Sequence, residues 1–300
     1  MTENMKMYWL HGLTPLHVGA GRGMGYIDLP IMREKVTNWP LVPGSTVKGV
    51  LRDHFENNGV ETRDNLLNSA FGRADQDGES ANSGSLVFTD ARLVCLPVRS
   101  FYGTFAWVTS PLALRRLQRD LSTVGIAENL EVSADLDSQT IQLPQGIPSA
   151  LKDADNKVYF EDLDFTVQEG PINTWAEKIS EWTFPGDATW QDEFKKRFAV
   201  IPNDSFDFLC ETRTEVHARV RIDPEKKVVA KGALWYEEFL PAEVMLAGVV
   251  WCDRVFPRNG ATPEQLMRAF CATELKLQIG GKATIGKGQV RCIFERRSGQ

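Results

Sequence analysis

No stretch of this sequence stays apolar for the roughly 20 residues that a bilayer crossing requires, and no CxxC or CxxH pair occurs in it. The first absence predicts a chain with no membrane partner. The second excludes the common structural zinc sites. Only five scattered cysteines are present (Cys95, Cys210, Cys252, Cys271 and Cys292), so no disulfide framework is expected either. Each lies inside an apolar stretch, where a reduced, buried thiol is the expected state. The N-terminal residues run directly into a strand-like segment without a charged-then-apolar leader, which predicts a cytoplasmic protein. There is no internal repeat. There is also no regular alternation of strand and helix of the kind that builds a doubly wound parallel sheet.

Excess positive charge is also lacking. With 34 Lys and Arg against 40 Asp and Glu, the net charge is −6, which argues against indiscriminate adhesion to nucleic acid. Local asymmetry is hidden in that total. From Lys276 to Arg297 the charges are Lys276, Lys282, Lys287, Arg291, Arg296 and Arg297 against the single acid Glu295. An acidic body carrying one basic groove suits selective grip on one phosphate backbone.

What is present reads as one domain over 1–300, with apolar residues making up 42% of the chain, enough for a sizeable core. Residues 5–13 form a strand whose unbroken Tyr8-Trp9-Leu10 run implies burial on both faces, with Tyr8 and Trp9 in the core rather than on a base-stacking surface. Val47, Val50, Leu51 and Phe55 fall at helical spacing after Ser45, and a short second helix covers 62–70. Residues 73–85 contain no large apolar side chain and predict a mobile surface loop. Strands are expected over 85–96 and 101–108, and helices over 171–182 and 189–198. A further helix opens at Ser110-Pro111, and another at Thr262 with a capping box and runs to about Thr273. Over 211–239 a long hairpin is expected: Val216, Ala218, Val220 and Ile222 line one face, and His217, Arg219 and Arg221 line the other. The whole is α+β with a mostly antiparallel sheet.

Three segments carry candidate chemistry. Residues 280–288, GGKATIGKG, imitate a nucleotide-binding loop, but Gly288 stands where the metal-holding Ser or Thr belongs and a strand follows instead of a helix. What remains is Gly280, Gly281, Gly286 and Gly288 beside Lys282 and Lys287, a backbone able to approach phosphate closely. In VPGSTVKG, Ser45 is expected to cap the helix. Lys48 has the wrong charge for the positive end of a helix, which suggests an anionic ligand there, with Arg52 on the same face. Asp28, set among Tyr26, Ile27, Leu29 and Ile31, is either exposed at a bend or paired, and can act as a base or hold a metal ion. His17 is a candidate proton carrier or a structural histidine; spacing alone does not bring it to Asp28.

Taken together, LTPLHVGAG, GYIDLPIMREKVTNWPLVPGSTVKGVLRD, VRID, GALWYEEFLP and IGGKATIGKGQVR resemble the backbone subunit of type III-B, Cmr-type, CRISPR complexes, within the RAMP superfamily. The middle of the chain, about 100–200, carries less of the resemblance. It implies a ferredoxin-like (RRM-like) palm with insertions and a protruding thumb, placed at 211–239. It implies copies of the chain in a helical filament along guide RNA (crRNA), with other Cmr-type subunits. It further implies cleavage of complementary target RNA at regular intervals by 2′-OH attack, with a divalent metal (Mg²⁺ or Mn²⁺). Asp28 is then the catalytic residue, deprotonating the 2′-OH or holding the metal, and His17 and Glu237 or Glu238 belong to the cleavage region. Lys48 and the loop 280–288 match the guide-RNA contacts of the family, and Ser45, Arg52, Arg219 and Arg221 are further candidates for RNA binding. A non-catalytic guide-binding subunit, a guide-processing endoribonuclease and a metabolic hydrolase using His17 and Asp28 are the alternatives.

Overall fold

The computed structural model describes residues 4–295 apart from 24, 58–63, 74–80, 127–129, 257–259 and 273. The chain begins with β1 (Met5–Gly12), β2 (Leu41–Val42), α1 (Gly44–Asn57), α2 (Asp64–Phe71), β3 (Gly72–Arg73) and β4 (Asn82–Ser83). It continues through β5 (Val87–Phe88), β6 (Ala91–Arg99), β7 (Phe105–Thr109), α3 (Pro111–Thr123), β8 (Thr140–Gln142), β9 (Lys157–Phe160) and β10 (Leu163–Gln168). Next come α4 (Asn173–Thr183), α5 (Ala188–Arg197), β11 (Phe198–Val200), α6 (Asn203–Thr212), β12 (Glu215–Ile222) and β13 (Val229–Phe239). The last elements are β14 (Met245–Trp251), α7 (Pro263–Phe270), β15 (Leu275–Gln278) and β16 (Gln289–Phe294).

Twelve strands join in one mixed sheet, ordered β15-β16-β1-β14-β6-β7-β11-β8-β10-β9, with β2 on β6 and β5 on β14. Its pairings are antiparallel except β10 with β8 and β11 with β7. The unbroken apolar run of β1 is explained by helices on both faces. Tyr8 and Leu10 pack with Val47 and Leu51 of α1 and Leu266 and Phe270 of α7. Met7 and Trp9 point the other way, into a second core with Leu114 and Leu117 of α3 and Trp175 of α4. All five cysteines are free and buried, as their apolar settings predict.

Local signals set several boundaries. Ser110 caps α3 by accepting from the Ala113 N–H, with Pro111 in its first turn. Thr262 and Gln265 form the reciprocal capping box of α7. That helix stops at Phe270, short of the expected Thr273, which is itself outside the described residues. The 73–85 segment is not one loose loop: Gly72 and Arg73 pair with Asn82 and Ser83, and Ser85 is buried; residues 74–80 lie outside the described residues. Residues 203–212 form α6, whose last turn takes the first two residues of the expected hairpin. The hairpin itself is therefore shorter than 211–239. β12 and β13 form their own two-stranded sheet, paired from Glu215↔Phe239 to Ile222↔Val229. Large apolar side chains such as Val220, Ile222, Val229 and Leu234 are exposed along it.

Candidate RNA-cleavage site at the base of the hairpin

One strand edge assembles the site. Beyond its pairing with β12, β13 accepts two further chain segments on its free side. Residue Leu29 bridges to Glu237 in parallel, its N–H donating to the Tyr236 carbonyl while Glu238 N–H donates to the Leu29 carbonyl. Leu16 bridges to Leu240 in antiparallel fashion. Asp28 and His17, eleven residues apart in sequence, thus meet the same edge. Asp28 Oδ2 accepts from the Tyr236 N–H at 2.8 Å, and His17 Nδ1–H donates to the Glu238 carbonyl at 2.7 Å. Two strand residues separate those anchor points, roughly 7 Å of backbone.

The two residues differ in exposure. Asp28 stands exposed at a bend, and its Oδ1 makes no hydrogen bond among the described residues. His17 is buried, its ring 5.4 Å from that of Phe239 and its Nε2 facing Gly19. This is the geometry of a structural histidine.

Neighbouring acids Glu237 and Glu238 point to opposite faces of β13, and both are buried because each face is covered. On one face Glu238 Oε2 accepts from the Ile31 N–H at 3.0 Å, and Oε1 accepts from Arg33 at 2.6 Å and Thr214 at 2.8 Å. Glu238 therefore pins the segment that carries Asp28 to the hairpin. On the other face Glu237 Oε1 accepts from Lys282 at 2.5 Å and Trp235 at 2.7 Å, while Oε2 accepts from Arg219 at 3.3 Å. Neither carboxylate has an unoccupied oxygen for chemistry. In this structure both act as clamps, every carboxylate oxygen accepting at least one hydrogen bond.

Burial pushes the Glu237 carboxyl up, but the hydrogen bonds from Lys282, Trp235 and Arg219 and the Lys282 charge outweigh it and hold the carboxyl below the ordinary value of 4.5. A depressed folded value stabilises the hairpin base fully above the unfolded value, and that stabilisation is lost as pH falls through the folded value. Trp235 fluorescence, taken as wild type minus Trp235→Phe, is expected to hold steady down to about pH 4.5 and change only below it. Glu237→Gln is expected to remove that transition; a transition centred above the ordinary glutamate value would contradict the clamp.

The glycine loop closes over this same corner. Gly281 N–H donates to the His17 carbonyl, and Gly288 N–H donates to the Pro15 carbonyl. Gly280 has φ +80, and a Cβ there would lie 2.3 Å from the His17 oxygen, so only glycine permits the approach. Lys287 sits 5.1 Å above the Phe239 ring. As expected, a strand follows the loop rather than a helix.

The helix-start residues are placed differently from expectation. Gly44, not Ser45, begins α1, and its N–H donates to Asp90 Oδ1 at 2.8 Å. Ser45 is an exposed first-turn residue rather than the cap, and the positive helix end is already answered by Asp90. Lys48 donates to the Leu86 carbonyl at 2.8 Å, and burial lowers its pKa. Arg52 donates to the Gly72 carbonyl at 2.8 Å. The internal acceptor at Leu86 accounts for the wrong-signed Lys48, and among the described residues no hydrogen bond or ion pair joins it to the glycine loop. In the basic C-terminal segment Arg291 is held bidentately by Glu274, while Arg296 and Arg297 lie outside the described residues. Arg219 is held by Glu237, and Arg221 is exposed.

Among the described residues no group of three or more His, Cys, Asp or Glu side chains is placed to hold a metal ion. Asp28 with its open Oδ1 fits a hard divalent cation only in the mode that takes one carboxylate, with water and substrate phosphates completing the shell. Among the same residues no helix is long and apolar enough to cross a membrane.

Comparison with known proteins agrees with this architecture. The RAMP superfamily model matches residues 9–291. The chain is 35% identical over 302 residues to the CRISPR system Cmr endoribonuclease Cmr4 of Pyrococcus furiosus, covering 97% of this chain and 96% of that one. It is 23% identical to the CRISPR system CMR subunit Cmr4 of Saccharolobus solfataricus, covering 95% of both. Among solved structures, oligomeric Cmr4 from Pyrococcus furiosus superposes with a TM-score of 0.72 at 28% identity, covering 97% of this chain and 98% of that one. A chain of the type III-B Cmr-β complex bound to cognate target RNA shares the fold, with a TM-score of 0.74 at 20% identity over 97% of this chain and 96% of that one. With a mixed α+β architecture, a family match across nearly all its length and this level of identity, the chain belongs to the RAMP superfamily and, within it, to the Cmr4 family.

Proposed function

We propose that the chain is a backbone subunit of a type III-B effector that holds guide RNA and cuts complementary target RNA at regular intervals. The observation that carries this reading is Asp28: an exposed carboxylate with one free oxygen, fixed at the edge of β13, the strand whose Glu237 gathers Lys282 and Arg219. The Cmr4 of Pyrococcus furiosus is named an endoribonuclease and has been crystallised as an oligomer. That supports RNA cleavage, and assembly from repeated copies with other Cmr-type subunits.

In this reading β16-β1-β14-β6, with α1 and α7 as the connecting helices, is the ferredoxin-like palm. The hairpin β12–β13 is the thumb that parts guide from target. The glycine loop meets the guide through its backbone, which suits a protein that must accept any guide sequence. The target's own 2′-OH attacks the adjacent phosphorus, and Asp28 Oδ1 accepts the 2′-proton. A divalent ion, Mg²⁺ or Mn²⁺, would be held by the Asp28 carboxylate and would offset the phosphate's negative charge.

The test is a map of cut positions on an end-labelled target in the reconstituted complex. Evenly spaced cuts with cyclic-phosphate 3′ ends are expected, lost with a chelator and restored by Mg²⁺ or Mn²⁺. Guide retention without any cutting would favour the non-catalytic alternative instead.

A further inference from the structure

The cleavage proposed above needs two proton transfers, and Asp28 accounts for one. As the 2′-oxygen bonds to phosphorus, the O5′ of the next nucleotide departs as an alkoxide unless a proton reaches it. A second group must supply that proton at the same corner.

Most proton-bearing groups there are engaged elsewhere. Lys282 and Arg219 are both spent on Glu237. Lys287 lies over the Phe239 ring, and His17 is buried with its Nδ1 on a backbone carbonyl. His217 differs from all of them. It lies on β12 directly opposite Glu237, on the face that also carries Arg219. Its side chain is 36% exposed, and its ring centroid stands 5.0 Å from that of Phe239, whose ring also contacts His17. Nε2 lies 3.1 Å from Glu215 Oε2, two residues back on the same strand face.

We infer that His217 is the general acid that protonates the departing O5′, with Glu215 as its positioning residue. The inference rests on the cleavage reading above. A carboxylate beside one imidazole nitrogen fixes the tautomer and stabilises the imidazolium, leaving the other nitrogen to act. Here Glu215 takes the Nε2–H, and Nδ1 gives its proton. The step balances without redox change. The O2′–P bond forms and the P–O5′ bond breaks. The 2′-proton passes to Asp28, and the Nδ1 proton passes to O5′. The products are a cyclic phosphate and a free 5′-hydroxyl, with His217 neutral. The charged and titratable groups around the ring are Glu215 and Arg219 on its own strand, Glu237 across the ladder, Lys287 from the glycine loop, and His17 on the far side of Phe239.

A target carrying sulfur in place of the bridging O5′ at one mapped cut tests this, because a thiolate leaves without protonation. In the assembled complex His217→Gln is expected to cut the oxygen target about a hundredfold or more slowly, and the sulfur target within a few fold of wild type. Glu215→Gln is expected to fall between the two on the oxygen target and to match wild type on the sulfur target. Asp28→Asn slows both targets. Equal slowing of both targets by His217→Gln, or no slowing of either, overturns the acid assignment and leaves the cleavage reading intact. Wild-type complex inert on both targets would instead sink the cleavage reading. Guide retention measured on each variant shows that assembly survives, as expected for substitution at a half-exposed strand residue.

Discussion

Asp28→Asn is expected to lower target cutting by about a hundredfold to ten-thousandfold, the usual range for removing a positioned base, while guide binding stays within a few fold of wild type. The substitution is nearly isosteric. The asparagine carbonyl oxygen can still accept the Tyr236 N–H that the Asp28 carboxylate now accepts, so the loop keeps its place on β13. What is lost is an oxygen able to take a proton or share a cation. Cut rates on a saturating complex, beside a filter-binding titration of the guide, separate the two effects. Cutting at the wild-type rate would remove Asp28 from the chemistry.

Glu238→Ala acts on the same reaction from behind. It leaves the Ile31 N–H and one face of the mostly buried Arg33 without their acceptor. Breaking a buried pair by removing one partner typically costs about 3–5 kcal/mol, which for a chain of this size lowers the melting temperature by roughly 6–10 °C. Cutting is expected to fall by up to about a hundredfold with Asp28 intact, because small displacements of a reacting group are that expensive. Glu238→Gln, which keeps an acceptor for Ile31, is expected to recover most of the stability. A Glu238→Ala protein that melts like wild type would show that the clamp does not hold the Asp28 segment.

These predictions depend on contacts that differ in how far the sequence reveals them. Signals that are local are legible: Ser110-Pro111 and the Thr262–Gln265 box mark helix starts because the cap and its target lie within one turn. The Tyr8-Trp9-Leu10 run announces two covered faces because side-chain direction alternates along a strand. The helix over 203–212 carried the same kind of signal, with Phe206, Leu209 and Cys210 buried at three- and four-residue spacing. It was obscured by the stronger alternation that follows. Lys48 misleads because its partner is a main-chain carbonyl, Leu86, that no side-chain pattern encodes. Glu237 and Glu238 reach the cleavage region by resemblance alone, and the sequence around them does not show what holds them. The groups that occupy them, Lys282 on one side and Ile31 and Arg33 on the other, come from opposite ends of the chain.

That last arrangement has a bearing on synthesis. A ribosome releases His17 and Asp28 well before Gly280 to Gly288, which pack on His17 and clamp Glu237 through Lys282. At about 5–20 residues per second the interval is on the order of ten to fifty seconds. Until the loop arrives, the hairpin base lacks its cationic cover, and the carboxylate at position 28 has no finished corner to work beside. On the cleavage reading proposed above, an incomplete chain therefore carries no assembled site among cellular RNA, and translation to the end of the loop is what completes it.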